Sequence, residues 1–135
     1  MTGVQTCALP ISSGPPPDRT PPSIQPGRHV ISLAQQNMGC GSPTTLTISA
    51  TVADASGVAS VWFVYHVATK IPFDGTVTMS AKPPTWFGTL GPFPFDWSNA
   101  DGGPITVTIH ARDNAGNEGT AVISDITLLK CNPIV

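Results

Sequence analysis

Few side chains in this sequence of 135 residues are equipped for chemistry, and their spacing restricts what that chemistry can be. The three histidines, His29, His66 and His110, are scattered along the chain. Zinc needs His or Cys ligands gathered at one point. His66 and His110 offer two ligands, and no third accompanies them. Glycoside hydrolysis needs two facing carboxyl groups. Asp74, Asp96, Asp101 and Glu118 are the candidates, and all fall in turns or strand connections, where capping of the backbone is the simpler role. A nucleophile needs a base at hand, yet there is no Gly-x-Ser-x-Gly and no cysteine set apart for reaction. No glycine-rich phosphate loop leads into a helix. These patterns point away from an enzyme and away from a cofactor.

Two turns are rich in oxygen: Asp54-Ala55-Ser56-Gly57 and Asp113-Asn114-Ala115-Gly116-Asn117. If both lie at one end of a sandwich, Asp54, Asp113, Asn114 and Asn117 approach one another. Calcium takes such oxygen clusters. The acids are few, however, and no Asp-x-Asp-x-Asp spacing is present. Turn capping is therefore the expected role, and no metal is expected.

The cysteines are Cys7, Cys40 and Cys131. Residues 1–11, MTGVQTCALPI, resemble the translation of a sequencing-library adapter along their whole length, with a GTG start codon read as Met. Set aside as such a scar, they take Cys7 with them. The expectation is then a fragment of a longer protein from shotgun environmental DNA. Cys40 and Cys131 remain, and their bracketing positions suggest a disulfide that clasps one domain; two buried free thiols are the other reading. A bridge closing a loop of this length contributes roughly 4–5 kcal/mol in chain-entropy terms and places the protein outside the cytosol.

The elements that position these residues are strands. Charged residues are only 10%, with 13 Gly and 15 Pro, and no stretch sustains a capped helical period. Net charge is −2 without a basic cluster, so nucleic acid is excluded as a partner. No apolar run reaches the length of a membrane-spanning helix. Residues 12–26, SSGPPPDRTPPSIQP, form a stiff proline-rich linker. The domain proper is 27–135. Strands are predicted over 29–34, 45–54, 58–68, 76–81, 85–90, 105–112 and 120–130, with turn signals between them. Seven short strands make an all-β sandwich. Alternation puts Leu46, Ile48, Ala50 and Val52 inward, likewise Val61, Phe63, Tyr65 and Val67, and Ile105, Val107, Ile109 and Ala111. Trp86 is expected in the core, and Phe93, Phe95 and Trp97 are expected to seal one end.

The same alternation leaves an outward stripe of Trp62, His66, His110 and Arg112. An exposed Trp beside polar donors can stack on a sugar or a partner protein. A covering domain, linker or loop is the competing explanation for such a stripe.

TPPSI, TISATVADASGVASVWFVY and ITVTIHARDNAGNEGTA resemble a bacterial immunoglobulin-like or fibronectin-III-like module over residues 20–131. Cysteines before the second strand and after the last are similar to those of modules in secreted and surface proteins of actinobacteria. The cysteine spacing of antibody domains is not present. The resemblance implies a seven-stranded immunoglobulin-like β-sandwich with a Pro-rich N-terminal extension. It also implies a non-catalytic spacer or display module of an exported multidomain protein, extracellular or on the cell surface. Its partners would be neighbouring domains of the same chain. The alternative is a weak adhesion or carbohydrate-binding module that uses the Trp62 face on cell-wall or other polysaccharide, or on a protein.

Overall fold

The computed structural model describes residues 17–35, 43–94 and 96–130. Cys40, Cys131 and Phe95 lie outside these residues, so the disulfide reading does too. Among the described residues the strands follow in the order β1 (Ser23–Pro26), β2 (Ser32–Leu33), β3 (Leu46–Ala53), β4 (Val58–Val67), β5 (Phe73–Thr78), β6 (Ser80–Lys82), β7 (Thr85–Leu90), β8 (Gly103–Asp113) and β9 (Glu118–Leu128). A 3-10 turn spans Trp97–Asn99, and no described helix is long and apolar enough to cross a membrane. The strands form two sheets, ordered β1-β3-β7-β6 and β2-β9-β8-β4-β5. Their inner faces meet in one apolar core, so the protein is an all-β sandwich.

The phase of β3, β4 and β8 follows the alternation. Leu46, Ile48, Ala50 and Val52 of β3 are buried, as are Val61, Phe63 and Val67 of β4 and Ile105, Val107, Ile109 and Ala111 of β8. Tyr65 is half-buried and packs against this core. It lies over Gly75 of β5, where any Cβ would strike its ring. In β9 the register slips between Ile105 and Val107 of its partner, which explains why its buried residues, Ile123, Ile126 and Leu128, depart from strict alternation.

The structure differs from the sequence reading in four places. The strand expected over 29–34 is only Ser32–Leu33. Ser23–Pro26, the end of the segment read as linker, forms β1 and pairs antiparallel with β3 from Ser23↔Ala53 to Pro26↔Ala50. Ile24 packs against the core, and β1 is an edge strand, where a proline without an N–H is tolerated. The strand expected at 76–81 is divided between the sheets: β5 pairs with β4 and β6 with β7, and buried Met79 marks the crossing. Trp97, expected to seal one end, is 72% exposed, while Phe93 is buried as expected. Trp86 is half-buried against the core.

The sandwich has two poles. At one, here the turn pole, the β3–β4 turn meets the β8–β9 hairpin: the Asn114 N–H donates to the Gly57 carbonyl at 2.9 Å. Gly57 and Gly116 adopt positive φ there, 89° and 92°, a conformation that favours glycine. At the far pole, Ala68, Pro104 and Leu128 come together. Strand β9 joins the two poles and spans roughly 33 Å.

Candidate functional site

The outward stripe of the five-stranded sheet is built by register. Trp62 pairs with His110, and Arg112 pairs with Glu118 of β9. The Trp62 and His110 rings stack, with centroids 5.2 Å apart and planes 4° from parallel. The Arg112 guanidinium lies over the Trp62 ring, 5.7 Å from its centroid. Glu118 closes the group: it accepts from His110 Nδ1 at 3.1 Å and from Arg112 Nη2 at 3.2 Å. Its hydrogen bond to His110, helped by Arg112, holds the Glu118 carboxyl below its ordinary value against the opposing effect of burial.

Of the four stripe residues named from sequence, Trp62, His110 and Arg112 thus meet. His66 does not join them; its Nδ1 lies 2.6 Å from Asp74 Oδ1 on β5. Glu118 is the member that the sequence reading assigned only to a turn. Trp62 itself is half-buried, with one neighbour stacked on its ring and another above it.

At the far pole a cavity of about 490 Å³ opens among Tyr65, Phe73, Phe93, Gln35, Asp96 and Asn99. Its polar groups brace the surrounding chain. Gln35 Nε2 donates to the Asn99 carbonyl at 2.9 Å, and the Asp96 N–H donates to Gln35 Oε1 at 3.2 Å. The Ile71 N–H donates to Asn99 Oδ1 at 3.1 Å. Asp96 also caps the 3-10 turn, and its bonds from the Ser98 hydroxyl and N–H hold its carboxyl below the ordinary value.

The turn pole brings the turns of Asp54 and of Asp113, Asn114 and Asn117 together, as a sandwich with both turns at one end predicts. Asp54 Oδ2 accepts from the Ser56 N–H and hydroxyl, and Asn114 Nδ2 donates to the Ser56 carbonyl. Asp113 is 1% exposed. Its Oδ1 accepts from the N–H groups of Ala115 and Asn117, and its Oδ2 accepts from Asn117 Nδ2 at 2.9 Å. Burial pushes the Asp113 carboxyl up, but these bonds outweigh burial and hold it below its ordinary value.

One further residue arrives from outside the reading, Asp18. Its carbonyl accepts from Asn117 Nδ2 at 2.9 Å, which pins the segment before β1 to the hairpin. One carboxylate oxygen from each of Asp18, Asp54 and Asp113 lies within 4.8 Å of the others. Asp18 sits among the prolines read as linker, and only the pairing of β1 with β3 carries it to this pole. The one sequence signal was its position shortly before Thr-Pro-Pro, where the chain is stiff.

No protein-family model matches this chain, and no curated protein matches it.

Proposed function

We propose that this chain is a non-catalytic spacer or display module, immunoglobulin-like in kind, of an exported bacterial multidomain protein. One observation carries the reading: the described chain enters at one pole and leaves at the other. Asp18 is held at the turn pole by Asn117, whereas Lys130 lies at the far pole, its Nζ 3.4 Å from Asp101. A module threaded in this way holds its neighbours apart by the full length of the sandwich. The leaving strand is anchored in shear. β2 runs parallel to β9, with Thr127 and Leu129 donating to the Ile31 and Leu33 carbonyls at 2.9 and 2.8 Å. Tension applied at the two poles loads those bonds together rather than one after another. The Trp62 group supports this reading as well, because its rings and charges are engaged with one another.

Pulling single molecules from residues 17 and 130 tests the spacer reading. The expected outcome is one cooperative unfolding event; gradual lengthening without a resisting step would overturn it. Retention on peptidoglycan and insoluble polysaccharides provides the companion test. No retention is expected. Saturable retention that disappears in Trp62→Ala would replace the spacer with the adhesion module.

A further inference from the structure

We infer that the turn pole binds a divalent cation, calcium, between the carboxylates of Asp18, Asp54 and Asp113. The first observation is the convergence of one oxygen from each side chain within 4.8 Å. Calcium–oxygen distances are about 2.3–2.6 Å, so oxygens on opposite sides of one ion lie roughly 5 Å apart. The set is all oxygen, which selects a hard cation over zinc or copper. It is carried by two turns and an edge segment, and such supports suit the adaptable shell of calcium better than the strict octahedron of magnesium.

The second observation is independent of that convergence. Asp18 Oδ2 is sealed from solvent and accepts no hydrogen bond in the structure. A buried carboxylate oxygen without a partner is costly and calls for a positive charge or a donor. Asp18 Oδ1 accepts from the Thr20 N–H at 2.9 Å, so the want of a partner is confined to Oδ2; the nearby carboxylates of Asp54 and Asp113 only accept when ionised. No Lys, Arg or His among the described residues forms an ion pair with Asp18, Asp54 or Asp113. The other acids do have relief: Asp74, Asp101, Glu118 and Asp125 pair with bases, and Asp96 caps a turn. Two remedies remain for three carboxylates gathered within 4.8 Å, a shared proton or a bound cation. Near neutral pH a cation relieves all three.

Turn capping leaves room for ligation. Both bonds from Ser56 fall on one oxygen of Asp54, and Asp113 Oδ2 accepts a single bond from Asn117. Each oxygen offers two lone pairs. An open cleft lined by Asp18, Thr20, Pro21, Ser23 and Asp54 gives an ion a way in and water a place in its shell. The proposal does not depend on the spacer reading. If both hold, the ion fastens the segment before β1 to the pole at which the chain enters.

The experiment melts chelator-treated protein near neutral pH with and without calcium chloride at about 10 mM. That is roughly ten to a hundred times the dissociation constants of extracellular calcium modules. Wild type should gain about 5–15 °C. Asp18→Asn is isosteric and lies in an edge segment. It should lose most of that gain while melting, without calcium, at or above the wild-type temperature, since a like charge has gone. Asp54→Asn serves in the same way if Asp18→Asn does not fold. Amide resonances perturbed by calcium should cluster at residues 18–20, 54–57 and 113–117. No gain in wild type, an equal gain in the variant, or perturbations centred elsewhere would overturn the site. The first of these, with a melting temperature that changes steeply around mildly acid pH, would identify the shared proton instead.

Discussion

On the outer face of the five-stranded sheet, each carboxylate meets a base across a strand pair or close to one. Glu118 holds His110 and Arg112, Asp74 holds His66, and Asp125 lies 2.6 Å from His29 Nε2. At the turn pole, three carboxylates meet one another instead. The cause is architectural. Facing residues on paired strands are set by register, and opposite charges placed there contribute about 0.2–1 kcal/mol each. Turns meet only where the sheets end. Their acids are chosen for the backbone N–H groups that they accept from, so nothing local supplies a base. One region sets its carboxylates beside bases within the fold; the other gathers carboxylates with no base paired to them among the described residues.

Removing one side chain at each region measures the difference. Asn117→Ala deletes the amide that donates both to buried Asp113 and to the Asp18 carbonyl. Bonds to charged groups contribute more than neutral ones, so urea unfolding should show a loss of about 2–3 kcal/mol. A loss below about 1 kcal/mol would mean that the pole does not depend on this clamp. On the outer face, Trp62→Ala removes a half-buried ring with its stacking and cation–π contacts. It should cost about 1–2 kcal/mol, between a surface change and a core deletion. A loss of roughly 3–5 kcal/mol would mark Trp62 as core and reverse the assigned face of β4.

The smallest effect concerns acid. The folded value of Glu118 is depressed below its ordinary 4.5. The unfolded chain therefore binds its proton first as pH falls. The stability that Glu118 contributes is complete above 4.5 and is lost as pH drops through the folded value. Asp125, held low by His29, loses its share in the same direction. Glu118→Gln should leave a shallower fall in the urea midpoint between about pH 5 and pH 2, with little change in the neutral plateau. An unchanged acid limb would show that the His110–Glu118–Arg112 group is too loosely held to matter.

Much of the fold was legible because inward and outward are decided by a period of two within one strand. Val61, Phe63, Val107 and Ile109 needed only their neighbours to be assigned, and Trp62, His110 and Arg112 fell on one stripe by the same rule. The two turns announced their own chemistry through Asp, Ser, Asn and Gly. Other features escaped for a common reason. β1 is made of residues whose local signal is proline, and its pairing with β3 depends on Ile24 finding the core. The break at Met79 depends on β6 finding β7. Trp97 is apolar by type, yet it lies on a short turn at the surface, where composition does not tell which way a side chain points.

The sequence by itself determined an all-β chain, the buried faces of β3, β4 and β8 and the capping of its turns, because these follow from side-chain type and spacing over a few residues. Tertiary structure alone decided how the strands divide between the sheets, that Glu118 serves His110 and Arg112, and that Asp18 reaches Asp54 and Asp113. Each of those depends on which distant strand supplies the partner and in what register, and that choice is made by the packing of the whole core.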